Sequence, residues 1–146
     1  MSSDSNACGD KSVVLFADDA PSVRFLVRTA LEAAGFVTIE TSDGQQALEV
    51  LASGQRVDIL VTDLHMPGID GLELVRQTRA LAARRYLPIV MLTTESQNNA
   101  VQEGLKAGLT AWIVKPFKSD TLLKVVAKAL GKRAPLATLA RPAATP

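Results

Sequence analysis

The sequence predicts an α/β protein built on a doubly wound, five-stranded parallel sheet with helices on both faces. Three observations carry that expectation. Short, nearly continuous runs of β-branched and aliphatic residues recur along the chain, the pattern of strands buried on both faces. Longer stretches with apolar residues at helical spacing lie between them. The two kinds of segment alternate through five βα units, which calls for parallel strands joined by right-handed helical crossovers.

In chain order, Val13 to Ala17 is the first predicted strand. Pro21 to Ala34 is the first predicted helix, with Val23, Leu26, Val27, Ala30, Leu31 and Ala34 on one face, Pro21 in its first turn and Gly35 as its stop. Phe36 to Ile39 is a weaker second strand, followed by a helix over Gln45 to Ala52. Val57 to Thr62 and Leu72 to Ala83 supply the third strand and helix. Ile89 to Thr93 precedes a helix over Asn98 to Ala107, and Ala111 to Val114 precedes the last one over Thr121 to Leu130. Gly54, Gly108 and Gly131 follow three of the helices, where a left-handed cap is expected. Residues 1–11 are rich in Ser, Asp, Asn and Gly and are expected to be a disordered leader. Residues 12–131 form the folded domain, and the Ala- and Pro-rich residues 132–146 a flexible tail.

A length of 146 residues suits one domain, and 47% hydrophobic residues give it a core, which excludes disordered and low-complexity classes. Sixteen Lys and Arg against 15 Asp and Glu leave a net charge of +1, no footprint for nucleic acid or an anionic membrane. The one cysteine, Cys8, cannot make an internal disulfide or a thiolate metal site, and it suits a reducing compartment. No apolar run approaches the roughly 18 residues of a membrane span. The expectation is a cytoplasmic, monomeric protein with neither nucleic acid nor membrane as a partner.

In such sheets ligands bind beyond the carboxyl ends of the strands. There the first strand runs into Asp18-Asp19, the third into Asp63, the fourth into Thr93-Thr94 and the fifth into Lys115-Pro116. Neighbouring strand residues point to opposite faces, so Asp18 and Asp19 share a site only where the strand yields to a loop, and Ala20-Pro21 supplies that break. Two carboxylates about 4 Å apart repel by roughly 4 kcal/mol at an effective dielectric of 20. A hard cation offsets this, and an all-oxygen set with positions left for water and phosphate suits Mg²⁺. Lys115 can pair with a carboxylate or a phosphoryl oxygen, and the Thr93 hydroxyl can donate to that oxygen. Taken singly, an Asp pair is usually a turn or cap and Lys-Pro usually a turn. Together they are the parts of a phosphoryl-transfer site with an Asp nucleophile, a metal and charge neutralisation.

Asp18-Asp19, the string Asp63-Leu64-His65-Met66-Pro67-Gly68-Ile69-Asp70-Gly71, Thr93 and Lys115-Pro116-Phe117 follow one another in an order that resembles a response-regulator receiver domain over residues 12–131. Within that family, the runs Met91 to Ser96 and Ala111 to Phe117 are most similar to stand-alone chemotaxis regulators. The resemblance implies a flavodoxin-like (βα)5 fold with strand order 2-1-3-4-5. It also implies a phosphoacceptor switch with self-limited autodephosphorylation rather than an enzyme. Asp63 would be the phosphoacceptor of a two-component system, served by a histidine kinase or a histidine phosphotransfer protein. Asp19, Asp63 and the backbone carbonyl of His65 would bind Mg²⁺ directly, and Asp18 would act through water. Thr93 and Lys115 would hold the phosphoryl group. Trp112 stands where the family commonly has Tyr or Phe as a switch, so it would turn inward as Thr93 moves. The surface of the fourth helix, fifth strand and fifth helix would then bind a phosphorylation-dependent target in chemotaxis signalling.

His65 and Glu95, each two residues past a site residue, are expected to border the path of the hydrolytic water and tune the phosphate's lifetime. Arg76, Arg79, Arg84 and Arg85 are expected to form a solvated face. A competing function is a phosphorelay shuttle passing phosphate to a histidine phosphotransfer protein. An aspartate-nucleophile phosphohydrolase is disfavoured because no second Asp stands two residues past Asp63 to act as general acid.

Overall fold

The computed structural model describes residues 11–94 and 98–131. Its strands are β1 (Val13–Ala17), β2 (Val37–Thr41), β3 (Ile59–Asp63), β4 (Ile89–Thr93) and β5 (Ala111–Val114). The helices are α1 (Pro21–Ala33), α2 (Gly44–Ala52), α3 (Gly71–Ala80), α4 (Asn98–Ala107) and α5 (Ser119–Gly131), with a 3₁₀ turn at Ala82–Arg84. All strand pairs are parallel, in the order β2-β1-β3-β4-β5. The expected fold and strand order are both observed. The expectations for a leader and a tail lie outside the described residues, apart from Lys11.

Burial follows the apolar runs. β1, β3 and β4 are buried along their whole length, whereas β2, the weakest run, is an edge strand with Val37 exposed. Successive side chains alternate between two cores. Leu15, Leu60, Met91 and Trp112 pack with Ala47 and Leu51 of α2, Leu74 and Val75 of α3 and Val101 of α4. Val14, Phe16, Val61, Val90 and Leu92 pack on the other face with Val27 and Leu31 of α1 and Leu122, Val125 and Val126 of α5.

Several boundaries differ from expectation by one to three residues, four of them for evident local reasons. Val57 is buried, but β3 begins two residues later because Asp58 turns its carboxylate onto the amide of Val13 at 2.7 Å. β2 continues to Thr41, whose hydroxyl donates to the Phe16 carbonyl at 3.0 Å. Asp43 caps α2 by accepting from the Gln46 amide at 2.8 Å, so that helix starts at Gly44. α3 ends at Ala80, because Leu81 is extended and a 3₁₀ turn follows. Gly54 and Gly108 take positive φ after their helices as expected, while Gly131 is the last helical residue of α5.

The arginine-rich end of α3 is a correction. Arg76 is exposed and pairs with Glu73, and Arg85 is exposed. Arg79 instead donates to the Gly108 carbonyl from Nε (3.1 Å) and Nη2 (2.6 Å), and to the Arg84 carbonyl from Nη1 (3.1 Å). Arg84 donates to the carbonyls of Leu51 (3.2 Å) and Gln55 (2.5 Å). A guanidinium is a rigid fork of donors, and carbonyls freed at helix ends are its natural acceptors. Two of the four arginines therefore fasten helix ends together instead of facing solvent.

Candidate functional site

Parallel strands bring every carboxyl end to one rim, and of the polar residues expected there Asp18, Asp19, Asp63 and Lys115 come together. β1 gives way at Asp18, whose amide still donates to the Thr41 carbonyl at 3.2 Å. Its carboxylate is fully buried and accepts from the Ala20 amide at 2.8 Å. Asp63 closes β3 and is 7% exposed, while Asp19 is exposed. One carboxylate oxygen from each of Asp18, Asp19 and Asp63 lies within 4.8 Å of the others. Lys115 is brought in by its amide, which donates to the Thr93 carbonyl at 2.6 Å. Its Nζ sits 3.1 Å from Asp18 Oδ2 and 3.1 Å from Asp63 Oδ1. The ammonium thus bridges the two most buried carboxylates.

Electrostatics sharpen the arrangement. Burial, reinforced by the negative charge of Asp18, pushes the Asp63 carboxyl above its ordinary value, although the hydrogen bond from Lys115 works against the rise. Burial alone would lower the Lys115 ammonium, but the hydrogen bonds and charges of Asp63 and Asp18 outweigh it and the net shift is upward. A carboxyl raised in the fold favours the native state most below its unfolded value of 3.8, and that contribution is lost as pH rises through the folded value. Lys115 contributes fully below 10.5 and loses its contribution as pH rises through its folded value. Urea unfolding in EDTA should therefore show the parent losing stability relative to Asp63→Asn as pH climbs through the carboxylate range. A stability difference that stays flat across that range contradicts the assignment.

The turn after β3 borders this rim. Gly68 has φ +80°, a conformation that side chains rarely adopt, and Asp70 caps α3 by accepting from the Glu73 amide at 2.9 Å. Gly71 follows, its amide donating to the Leu64 carbonyl at 2.8 Å. A Cβ there would lie 2.5 Å from the Asp63 carbonyl oxygen and 2.9 Å from the Leu64 Cα, and neither backbone atom can swing aside. Gly71→Ala is expected to destabilise by about 1 to 3 kcal/mol. Gly131→Ala, which would meet nothing within 4 Å, should stay within about 0.5 kcal/mol of the parent. Denaturant midpoints compare the two, and equal midpoints would contradict the close approach.

Thr93 ends β4 with 2% of its surface exposed. Trp112 stands opposite Met91 on β5 and on the same face as Thr93. At 6% exposure the indole is already inside the core, so the inward turn expected on phosphorylation has little exposed surface left to remove. His65 is exposed in the loop after β3, and its imidazole is not part of the carboxylate cluster. Glu95 lies outside the described residues. One neighbour of the cluster escaped the sequence reading: Arg24 of α1 donates from Nη1 to the Asp18 carbonyl at 2.6 Å. Its position within α1 does not separate it from Arg28, one turn on, so no sequence signal singled it out.

Comparison with known proteins agrees with this geometry. The family model described as the response regulator receiver domain matches residues 14–127. Chemotaxis protein CheY of Pseudomonas aeruginosa is 37% identical over 116 residues, 79% of this chain and 93% of that protein. Chemotaxis response regulator CheY4 of Vibrio cholerae has a solved structure that aligns with a TM-score of 0.78 at 38% identity, covering 82% of this chain and 99% of that one. The receiver domain of sensor histidine kinase PA1611 from Pseudomonas aeruginosa, solved with a magnesium ion coordinated in its active site cleft, aligns at a TM-score of 0.77 and 27% identity. That alignment covers 84% of this chain and 99% of the other.

Proposed function

The chain belongs to the response-regulator receiver family, and from that membership we propose that it is a single-receiver regulator of chemotaxis, phosphorylated on Asp63 by a histidine kinase. Members of this family are phosphoacceptor switches. The observation that carries the reading is the Lys115 ammonium held 3.1 Å from both Asp18 and Asp63, beside the cluster of three carboxylates. The chemotaxis proteins CheY and CheY4 support the pathway, since 93% and 99% of their lengths are covered.

In the proposed step a carboxylate oxygen of Asp63 attacks the phosphorus of a phosphohistidine. The P–O bond forms as the P–N bond breaks, and the P–N electron pair leaves with the histidine ring, which, already protonated at its other nitrogen, departs as neutral imidazole. Burial makes the Asp63 carboxylate more basic and so a better nucleophile. Lys115, kept cationic by its two partners, holds a phosphoryl oxygen, and Thr93 offers its hydroxyl to another.

The donor set fits Mg²⁺. Three carboxylates, one of them fully buried and one exposed, supply hard oxygens only, and among the described residues no histidine or cysteine side chain joins them. Asp19, Asp63 and the His65 carbonyl would hold the ion directly, with Asp18 acting through water. When bound it neutralises the carboxylates and the charge that develops on the phosphoryl group. Self-limited autodephosphorylation returns the switch to rest, its rate tuned by His65 and Glu95.

The output is a two-state change biased by local charge. The doubly charged phosphoryl group draws Thr93 and Lys115 inward, and the repacking reaches Trp112 and the α4-β5-α5 surface, which binds the target. Because Trp112 starts buried, beryllofluoride with Mg²⁺ is expected to shift its emission while quencher access stays low. Thr93→Ala should weaken that response, and unchanged emission with Asp63 occupied would make Trp112 a fixed packing residue.

Likeness to the receiver of a sensor histidine kinase favours a second reading, a phosphorelay shuttle. A pull-down with and without beryllofluoride separates the two. A target captured only with the mimic supports the switch, whereas fast return of phosphate to a histidine phosphotransfer protein without such a target supports the shuttle. Among the described residues no helix is long and apolar enough to cross a membrane, which accords with the proposed cytoplasmic setting.

A further inference from the structure

We propose that Arg24 is a positioning residue for the metal site, fixing from behind the one carboxylate of the cluster that no side-chain hydrogen bond holds. This rests on the reading above that Asp18, Asp19 and Asp63 take a divalent cation. Asp18 is restrained at both carboxylate oxygens, by the Ala20 amide at 2.8 Å and by Lys115 at 3.1 Å. Asp63 is restrained by Lys115 at 3.1 Å. Asp19 is exposed, and among the described residues no hydrogen bond holds its carboxylate. Its direction is therefore set by its backbone. The peptide group linking Asp18 to Asp19 is planar, so pinning the Asp18 carbonyl oxygen fixes the plane from which the Asp19 Cα and side chain depart.

Arg24 does the pinning, with Nη1 2.6 Å from that oxygen. It is itself anchored on two sides. Its amide donates to the Ala20 carbonyl at 3.0 Å in the first turn of α1, and its Nε lies 3.6 Å from Glu40 Oε1 on β2. Glu40 also pairs with Arg28 at 2.8 Å, so the anchor is held by α1 at two successive turns. The result is a brace from β2 through Arg24 to the loop that carries the acidic pair.

The sign of one measurement separates this role from a charge effect. A cation near an acidic metal site repels Mg²⁺, so on charge alone removing it should tighten binding. Loss of positioning should weaken it, and supporting contacts of this kind typically contribute tenfold or more to metal affinity. Isothermal titration of Mg²⁺ into the full chain is expected to give a dissociation constant at least about tenfold higher for Arg24→Gln than for the parent. Arg28→Gln, which removes a neighbouring cation but no contact to Asp18, should bind as tightly as the parent or tighter. Arg24→Lys keeps the charge and a donor nitrogen but not the guanidinium fork, and should fall between parent and Arg24→Gln.

Unfolding in EDTA verifies that each variant is folded. If Arg24→Gln is not, Arg24→Lys carries the test with the same sign and a smaller change. Parent-like or tighter binding by the Arg24 variant, or equal weakening by Arg28→Gln, overturns the proposal while leaving the metal site intact. Absence of Mg²⁺ binding by the parent overturns the metal reading itself.

Discussion

Asp63→Asn is expected to reduce incorporation of phosphate from a small phosphodonor such as acetyl phosphate, in the presence of Mg²⁺, to background. The amide keeps the size and one hydrogen-bonding oxygen of the carboxylate but lacks its nucleophilic charge. The fold should persist, because Asp63 is a charge that burial and Asp18 both disfavour, and its removal relieves that penalty. Lys115 keeps Asp18 at 3.1 Å and is not stranded. Labelling is followed by intact mass and folding by circular dichroism. Stable phosphate on His65, Asp18 or Asp19 in this variant would contradict the assignment, as would labelling at the parent's level.

The second large effect is thermodynamic. A cation bound only by the native state stabilises it by about 2.7 kcal/mol at a hundred times its dissociation constant. The parent should show that gain in Mg²⁺ over EDTA, and Asp19→Asn should lose most of it. Asp19 is exposed, so substitution removes no packing. It does remove a like charge from a cluster whose oxygens lie within 4.8 Å of one another, so the metal-free variant should be at least as stable as the parent. Equal stabilisation of both proteins by Mg²⁺ would mean that the ion binds elsewhere.

The rim was legible because parallel topology turns sequence position into spatial position. Asp18, Asp63, Thr93 and Lys115 each follow an apolar run, and any parallel sheet built from those runs delivers them to one edge. Burial followed the same logic: β2, the poorest run, is the less buried of the two edge strands. What could not be read is what depends on side-chain reach across elements. Lys115 meets Asp18 across a sequence separation of 97 residues, and nothing local indicates that one ammonium serves two carboxylates. Arg79 and Arg84 look like surface charge in the sequence, yet the carbonyls they bind belong to the ends of other helices. Gly71 stood inside the motif without a role, because its need for a bare Cα comes from the backbone of Asp63 beneath it. The end of α3 was misjudged for a related reason. Its apolar spacing runs on, but the extended Leu81 stops the helix.

The most direct test is to locate the phosphoryl group in the parent. After acetyl phosphate and Mg²⁺, borohydride reduction of the acyl phosphate and peptide mass spectrometry should find the modification on Asp63 alone, and EDTA should prevent it. Modification of Asp18, Asp19 or His65 in place of Asp63, or labelling of Asp63 that is indifferent to EDTA, would contradict the account.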